Sequence, residues 1–309
     1  MLSIENLSKS YGSYKAVNNL NLNISKGEIF GFVGPNGAGK TTTLKMISTL
    51  LLPNSGDIKL NGQSIYTDLK KTRSSIGYMP DAFGVYDNLK VHEYIEFYGE
   101  LVGMNYKEIR ANVASLLELV SLENKKNAYV DSLSRGMKQR LCLSRALIHN
   151  PDLLILDEPA SGMDPRARVQ MKEILKELKS MGKTIIISSH ILPELAELCT
   201  TIGVIDKGHI VQKGSVDEIN SIIYGGTIIK IKYLESGVDP SIIISERADL
   251  EILYKNKGEL EVKVDGDDRK VAEINKYLVN SGVPIISFNK LDNNLEDIFI
   301  KLTGGGQGE

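Results

Sequence analysis

Residues 34–42 read Gly34-Pro35-Asn36-Gly37-Ala38-Gly39-Lys40-Thr41-Thr42. The preceding run, residues 29–33, is apolar and typical of a buried strand, and the apolar periodicity of residues 40–50 predicts a helix. Glycines in such a strand–turn–helix unit let successive backbone N–H groups turn toward one anion, and the helix start adds the positive end of its dipole. The stretch therefore predicts a phosphate-binding loop in a nucleotide-binding domain.

Two residues of this loop and two later ones carry groups suited to phosphate chemistry. Lys40 would place a full positive charge on the terminal phosphates, and the Thr41 hydroxyl would bind Mg²⁺. The apolar strand 153–156 ends in Asp157 and Glu158, at the edge where open α/β sheets place ligands. Asp157 fits a Mg²⁺-holding carboxylate, and Glu158 is expected to orient or deprotonate the water that attacks the γ-phosphate.

Two further segments extend this site. The predicted strand 184–188 is followed by Ser189 and His190, and an imidazole at this edge would contact the γ-phosphate, the alternative being an ordinary surface or core histidine. Residues 133–140 are polar and precede the helical run 141–148, so Ser134 lies beside a free helix N-terminus. One chain rarely needs two anion sites for one nucleotide, so the second is expected to serve a neighbouring copy.

In this order the motifs resemble the ATP-binding subunit of an ABC transporter, from residue 1 to about residue 221. The resemblance implies that two copies pair head to tail, sandwich ATP between them and, by opening and closing, drive a membrane partner. Loop 34–42 corresponds to Walker A, residues 153–158 to Walker B and His190 to the switch histidine. The resemblance further implies that Tyr11 stacks on adenine. It implies a signature that contacts the partner's ATP, made of Ser134, Arg135, Gly136 and Gln139. The D-loop would contain Ser161, Gly162 and Asp164.

The fold implied is α/β: a P-loop ABC ATPase with a mixed sheet core, an antiparallel β edge and a helical subdomain, followed by a small C-terminal α+β domain. Segments near 2–7 and 17–24 and the Asn61-Gly62 turn predict the antiparallel edge, and residues 91–119 are expected to be helical throughout. The ATP-binding domain is expected at 1–224, with its helical part at about 88–150. Gly225-Gly226 would be the joint, residues 225–303 an accessory or dimerisation domain, and 304–309 a flexible tail.

The C-terminal part has a strand–helix pattern of its own. It predicts two strands, a hairpin around 256–258, a helix at 267–281, a strand at 284–288 and a last helix at 295–302. Residues 220–309 hold 11 Lys+Arg against 15 Asp+Glu, an acidic balance that disfavours a nucleic-acid or anionic-lipid surface. Two roles stay open for the C-terminal part: it could stabilise or regulate the dimer, or it could be structural only.

Three residues depart from the family pattern. Asp81 stands where the family has a glutamine that contacts Mg²⁺ and the attacking water; its carboxylate could still reach the metal directly or through water. Arg135 replaces the first signature glycine, and Met137 the usual glutamine. A degenerate, non-hydrolysing site is the alternative reading, disfavoured because Lys40 and the catalytic carboxylates and histidine are present.

Composition limits the remaining possibilities. The chain has 309 residues, 42% hydrophobic and 25% charged, with a net charge of −2, so it can bury a core and gives no prior for nucleic-acid binding. It shows no run of eighteen apolar residues and no basic-then-apolar start, which predicts a cytosolic protein unless a partner tethers it. The family resemblance implies such a partner, a permease that holds the chain at the cytoplasmic face of the membrane. Cys142 and Cys199 lie in apolar helical patterns and are expected to be buried, reduced thiols.

The spelling of residues 134–140, the segment 87–94 and the ending 295–304 resemble the bacterial branch of sodium, antibiotic and bacteriocin exporters. This implies a homodimeric ATPase with ATP and Mg²⁺, a separate membrane permease and no nucleic acid. Segment 81–93 would meet the permease, unless it is an ordinary loop. One other class is a soluble non-transport ABC ATPase, which the single cassette and the short separation of Ser134 from Lys40, 94 residues along the chain, disfavour. Another is a regulatory module with weak hydrolysis, which a measurement of phosphate release would distinguish.

Overall fold

The computed structural model describes residues 1–290 except 83, 191–194, 196–197, 216–217, 220–226, 236 and 267. The chain divides into two compact units, Met1–Lys213 and Gly214–Glu309. The division falls before the joint expected at Gly225-Gly226. That joint, the helix expected at 295–302 and the tail 304–309 lie outside the described residues.

The first unit contains an antiparallel sheet in the order β2-β1-β4-β5. Its strands are β1 (Leu2–Tyr11), β2 (Tyr14–Ile24), β4 (Ser55–Leu60) and β5 (Gln63–Ser64). Leu2 pairs with Ile24 on one side and Leu60 on the other. The Asn61-Gly62 turn has φ of 51° and 81°, as a two-residue hairpin requires. The expected antiparallel edge is thus a separate sheet.

A six-stranded sheet carries the predicted site. Its order is β10-β9-β3-β8-β7-β6, and β9, β3, β8, β7 and β6 pair in parallel. Every residue of β3, β7 and β8 is buried, as the apolar runs of a covered parallel sheet predict. Their carboxyl ends therefore meet at one edge. The strands are β3 (Ile29–Val33), β6 (Ile76–Met79), β7 (Leu153–Asp157), β8 (Thr184–Ser189), β9 (Thr201–Asp206) and β10 (His209–Gly214).

The helices with described bounds in this unit are α1 (Lys40–Ile47), α2 (Leu69–Ser74), α3 (Val91–Leu101), α4 (Tyr106–Leu119), α5 (Arg135–Leu147) and α6 (Pro165–Ser180). Short 3₁₀ turns lie at Glu123–Lys125 and Val130–Ser132. Helix α1 ends before residue 50, the predicted limit, because Thr49 adopts a left-handed φ of 61°. Leu44 and Ile47 of α1 pack into one core cluster with residues of both sheets, such as Leu7 and Phe32.

Two helix predictions were wrong in their bounds. Residues 91–119 are not helical throughout: Gly103 takes a φ of 83°, and Asn105 starts a new helix through a reciprocal cap with Glu108. Helix α5 begins at Arg135 and not at residue 141, because the Ser134 hydroxyl accepts a hydrogen bond from the Met137 amide at 3.4 Å. The signature is therefore the first turn of the helix, not a loop before it.

The second unit is an antiparallel sheet in the order β12-β13-β11-β14 with helices α7 and α8. Its elements are β11 (Thr227–Tyr233), α7 (Pro240–Ser245), β12 (Leu250–Asn256), β13 (Glu259–Val264), α8 (Asp268–Asn280) and β14 (Ile285–Lys290). Ile274 and Leu278 of α8 are buried with Ile231 and Val262 of the sheet. The predicted hairpin joins β12 to β13, whereas α7 was not predicted.

Both cysteines are free thiols. Cys142 is buried on α5, as expected, whereas Cys199 is half-buried and lies outside a regular helix. Burial raises the pKa of Cys142 to about 11 and that of Cys199 to about 12, which keeps both protonated and unreactive at neutral pH. No helix among the described residues is long and apolar enough to cross a membrane.

Candidate active site

The phosphate-binding loop connects β3 to α1, and steric constraints explain why glycines occupy several of its positions. Gly39, the N-cap of α1, has a φ of 107°, and a Cβ there would run into the carbonyl oxygen of Ala16. Gly34 has the carbonyl oxygen of Ile205 where a Cβ would lie. Gly37 has a φ of 83°, and its carbonyl oxygen accepts a hydrogen bond of 2.7 Å from Tyr14 Oη. Backbone packing therefore fixes the shape of the loop.

Lys40 is the first residue of α1, and its ammonium bends back over the loop. Nζ donates hydrogen bonds to the carbonyl oxygens of Gly34 and, at 3.0 Å, Pro35. The residue is only 6% exposed. Burial lowers the pKa of Lys40, whereas the carboxylates of Glu158 and Asp157 raise it. The charge thus lies inside the loop and near both predicted carboxylates.

Asp157 ends β7 and is fully buried. Its Oδ1 accepts hydrogen bonds from the Ser188 hydroxyl and, at 3.2 Å, from the Thr41 hydroxyl. Asp157 pairs with Ser188 across the parallel ladder, so the register of β7 and β8 sets this contact. Ser188 was not predicted, although a serine at the end of an apolar strand was a visible signal.

Glu158 follows Asp157 with a left-handed φ of 50°, which is uncommon for a residue with a side chain. Its amide donates to the carbonyl oxygen of Ser188 at 3.2 Å and to its hydroxyl at 3.1 Å. The Glu158 Oε2 atom lies 2.8 Å from Nδ1 of His190. The Glu158 side chain is 12% exposed, whereas that of His190 is 48% exposed. A carboxylate that contacts an imidazole and projects from an anchored backbone is suited to act as a general base.

Asp81 follows β6, the edge strand next to β7, and is exposed. It forms no hydrogen bond or ion pair with any residue that the structure describes. The hydroxyl of Tyr78 on β6 is buried without a hydrogen-bond partner there. Burial and then the charges of Asp157 and Asp81 raise the pKa of Tyr78.

The signature residues at the start of α5 contact the D-loop residues before α6. Gln139 Nε2 donates to the carbonyl oxygen of Ser161 at 2.8 Å, and Asp164 caps α6 by accepting from the Ala167 amide at 2.9 Å. Within the described part of the chain, no hydrogen bond or ion pair joins this group to loop 34–42. Tyr11 is 51% exposed, and Lys9 Nζ lies 5.8 Å from the centroid of its ring. Stacking of Tyr11 on adenine stays a prediction.

A glycine-rich loop with a buried lysine, a buried aspartate at the end of a strand of the same parallel sheet and a glutamate–histidine pair define a P-loop ATPase. The family model "ABC transporter" matches residues 17–161, and the model "ATP-binding protein DrrA1-3-like, C-terminal domain" matches residues 214–303. The chain is 34% identical to the linearmycin resistance ATP-binding protein LnrL of Bacillus subtilis (strain 168), over 98% of either chain. It is 34% identical to the bacitracin transport ATP-binding protein BcrA of Bacillus licheniformis, over 99% of this chain and 98% of the relative.

Among solved structures, a dimeric post-hydrolysis ATP-binding cassette bound to ADP and phosphate is similar, with a TM-score of 0.64 and 27% identity. The match covers 70% of this chain and 98% of that one. The chain belongs to the ABC transporter family, as an ATP-binding and ATP-hydrolysing subunit of the exporter branch. The predicted family and fold class are thereby confirmed.

Proposed function

We propose that this chain pairs with a second copy around ATP and that the dimer powers export through a separate membrane permease. The observation that carries the proposal is the convergence of Lys40, buried Asp157 and the Glu158–His190 pair at one edge of the parallel sheet. Such an edge can hold a triphosphate and activate a water against it. The names of LnrL and BcrA favour an antibiotic as the exported molecule.

In this proposal each group has a defined task. Backbone amides of loop 34–42 and the Lys40 ammonium bind the β- and γ-phosphates. Glu158 takes a proton from the attacking water, and His190 holds the Glu158 carboxylate at 2.8 Å and contacts the γ-phosphate. Because the amide of Glu158 is anchored to Ser188, the carboxylate stays aimed at the same place through the reaction.

The donor set fits Mg²⁺. The Thr41 hydroxyl and an Asp157 oxygen lie 3.2 Å apart, and Mg²⁺ typically takes one or two protein oxygens together with waters and phosphates. The unpartnered Tyr78 hydroxyl and the exposed Asp81 carboxylate are suited to hold waters of the metal's shell. The bound ion would neutralise charge on the bridging phosphate oxygens.

Pairing of two copies would give the signature a phosphate to contact, since no hydrogen bond or ion pair among the described residues joins it to loop 34–42 of its own chain. Ser134 and Gly136 would then contact the γ-phosphate held by the partner, with Arg135 and Gln139 beside them, and the D-loop would face the partner's loop. The similar cassette that was solved as a dimer supports this arrangement.

A surface of aromatic side chains is suited to the permease. Tyr86 and Phe97 stack edge to face with centroids 5.3 Å apart, Phe97 contacts Tyr98 in the same way, and the Arg145 guanidinium lies 5.0 Å from the Tyr98 ring. Tyr86 is 49% exposed and lies in the segment that follows Asp81. We propose that cytoplasmic helices of the permease pack here, which would hold the chain at the cytoplasmic face of the membrane.

The permease contact can be tested with the wild-type complex in membranes. Tyr86→Ala should release the chain from permease-containing membranes into the supernatant, while ATP hydrolysis by the isolated chain stays unchanged. Tyr254→Ala is the matched control, since Tyr254 is 45% exposed in the second unit. Equal membrane retention of both variants and wild type would contradict the proposed surface.

A further inference from the structure

Arg135, which stands where the family has a glycine, lies over the D-loop of its own chain. A Cβ built on Gly162 would lie 2.5 Å from Nη1 and 2.6 Å from Nη2 of Arg135, with Cζ closer still. Since all three atoms lie at nearly the same distance, the plane of the guanidinium faces the glycine backbone. Gly162 also has a φ of 65°, so both its conformation and its surroundings favour the absence of a side chain.

The contact with Gly162 is what places this side chain. Arg135 is exposed and forms no hydrogen bond or ion pair with the residues that the structure describes. A guanidinium is flat and weakly hydrated, so it packs over a bare peptide backbone better than an ammonium does. The shape of the group, and not charge pairing within the chain, therefore accounts for its position.

Two more contacts join the start of α5 to the same loop and to α6. Gln139 is 2% exposed and donates to the carbonyl oxygen of Ser161 at 2.8 Å. A Cβ on Gly136 would lie 2.7 Å from Cβ of Ala167, so α5 and α6 approach closely at this point. The first two turns of α5 thus contact the D-loop at two places and α6 at a third.

We propose that Arg135 is a positioning residue that holds the D-loop against the signature helix, so that the two segments facing the partner subunit move as one body. The inference rests on the proposed dimer around ATP. Arg135 acts through the flat contact on Gly162, and its loss slows hydrolysis without weakening ATP binding.

The test compares Arg135→Ala, Arg135→Lys and wild type in steady-state ATP hydrolysis. Both variants should lose kcat by about tenfold, equivalent to about 1.4 kcal/mol, with KM for ATP unchanged. Lysine keeps the positive charge but lacks the planar guanidinium, so Arg135→Lys should not restore the wild-type kcat. Arg110→Ala is the matched control: Arg110 is exposed on α4, and its guanidinium contacts the Tyr106 ring at 5.0 Å. This control should leave kcat unchanged.

A second readout does not depend on activity. In the ATP-bound Glu158→Gln background, amide hydrogen exchange of residues 161–164 should accelerate in Arg135→Ala and Arg135→Lys but not in Arg110→Ala. Gly162→Ala should lower kcat, and the double variant with Arg135→Ala should be no slower than the slower single variant, because both remove one contact. If Gly162→Ala does not fold, the exchange comparison decides.

Three results would overturn the inference: rescue by lysine, a raised KM in Arg135→Ala, or additive losses in the double variant. The first two would assign Arg135 to the partner's phosphates. Failure of the proposed function is distinguishable, because wild type would then release no phosphate and Glu158→Gln would not dimerise with ATP. If wild type and Glu158→Gln behave as proposed and Arg135→Lys keeps the wild-type kcat, only the D-loop inference is refuted.

Discussion

Replacing Glu158 with glutamine isolates the proposed base from the rest of the site. The amide anchors to the Ser188 carbonyl and hydroxyl, 3.2 and 3.1 Å, are backbone contacts and survive the change. Glutamine has the same shape and can still form a hydrogen bond with Nδ1 of His190. What disappears is the negative charge and the ability to accept a proton from water.

The expected loss follows from the role of a general base. Such groups contribute roughly 10²–10⁴-fold, so phosphate release should fall by that factor, equivalent to about 3–5 kcal/mol in the barrier. ATP affinity should not fall, because phosphate binding is assigned to Lys40 and loop 34–42, and the change leaves the hydrogen bonds from Lys40 to the carbonyl oxygens of Gly34 and Pro35 in place. With turnover blocked, the ATP-bound dimer should accumulate.

Two assays measure these effects: phosphate release with Mg²⁺ and ATP, and size-exclusion chromatography with and without ATP. Glu173→Gln, an exposed change of the same chemistry on α6, is the control and should resemble wild type. The assignment of Glu158 is refuted by a variant that keeps more than about a tenth of wild-type turnover, above the range for a lost base. An elution volume unaffected by ATP would refute the dimer.

The remaining predictions concern three other positions. Asp81→Gln should leave nucleotide affinity nearly intact in a binding titration; a collapse would mean that Asp81 holds the nucleotide itself. Gly39→Ala, at a φ of 107° with a carbonyl oxygen in the way, should lower the melting temperature through strain of about 1–3 kcal/mol. Gly182 has a φ of 81° and no atom near the position of a Cβ, so Gly182→Ala should lower the melting temperature less. Equal decreases in both variants would contradict the steric explanation for Gly39. The Lys255 ammonium and the Ser241 hydroxyl and amide lower the pKa of Asp239 to about 2. This stabilisation is present above the ordinary value of 3.8 and is lost as the pH falls toward 2, so Asp239→Asn should be less stable than wild type in urea at neutral pH and the difference should shrink near pH 2.

The main parts of the site followed from sequence because each is tied to the end of a strand. Loop 34–42, Asp157 and His190 all follow apolar runs, and strands of a parallel sheet end at one edge, so local patterns placed distant residues together. The identity of the neighbours could not be obtained in this way. Ser188 contacts Asp157 only because β7 and β8 pair in that register.

Other features depended on packing or on side-chain caps. The start of α5 at Arg135 was missed because glycine in its first turn argues against a helix, while the Ser134 cap and the packing of Gly136 against Ala167 favour one. The hydrogen bond from Tyr14 to Gly37 joins an antiparallel strand to the phosphate loop, and no local pattern predicts it. Asp81 stays a prediction, because the described residues give it no partner.

The departures from the family pattern have unequal consequences. A glycine at position 135 would have no side chain to contact the loop 161–164. The guanidinium of Arg135 packs on Gly162 and adds that contact. Met137 changes a side chain, but its amide still donates to Ser134, so the helix start that faces the partner is preserved. Asp81 is the one departure at a position that the family resemblance assigns to the metal. Hydrolysis in this chain is therefore expected to depend on how the Asp81 carboxylate would meet Mg²⁺, while the proposed Arg135 contact would hold the signature half of the site more firmly than a glycine would.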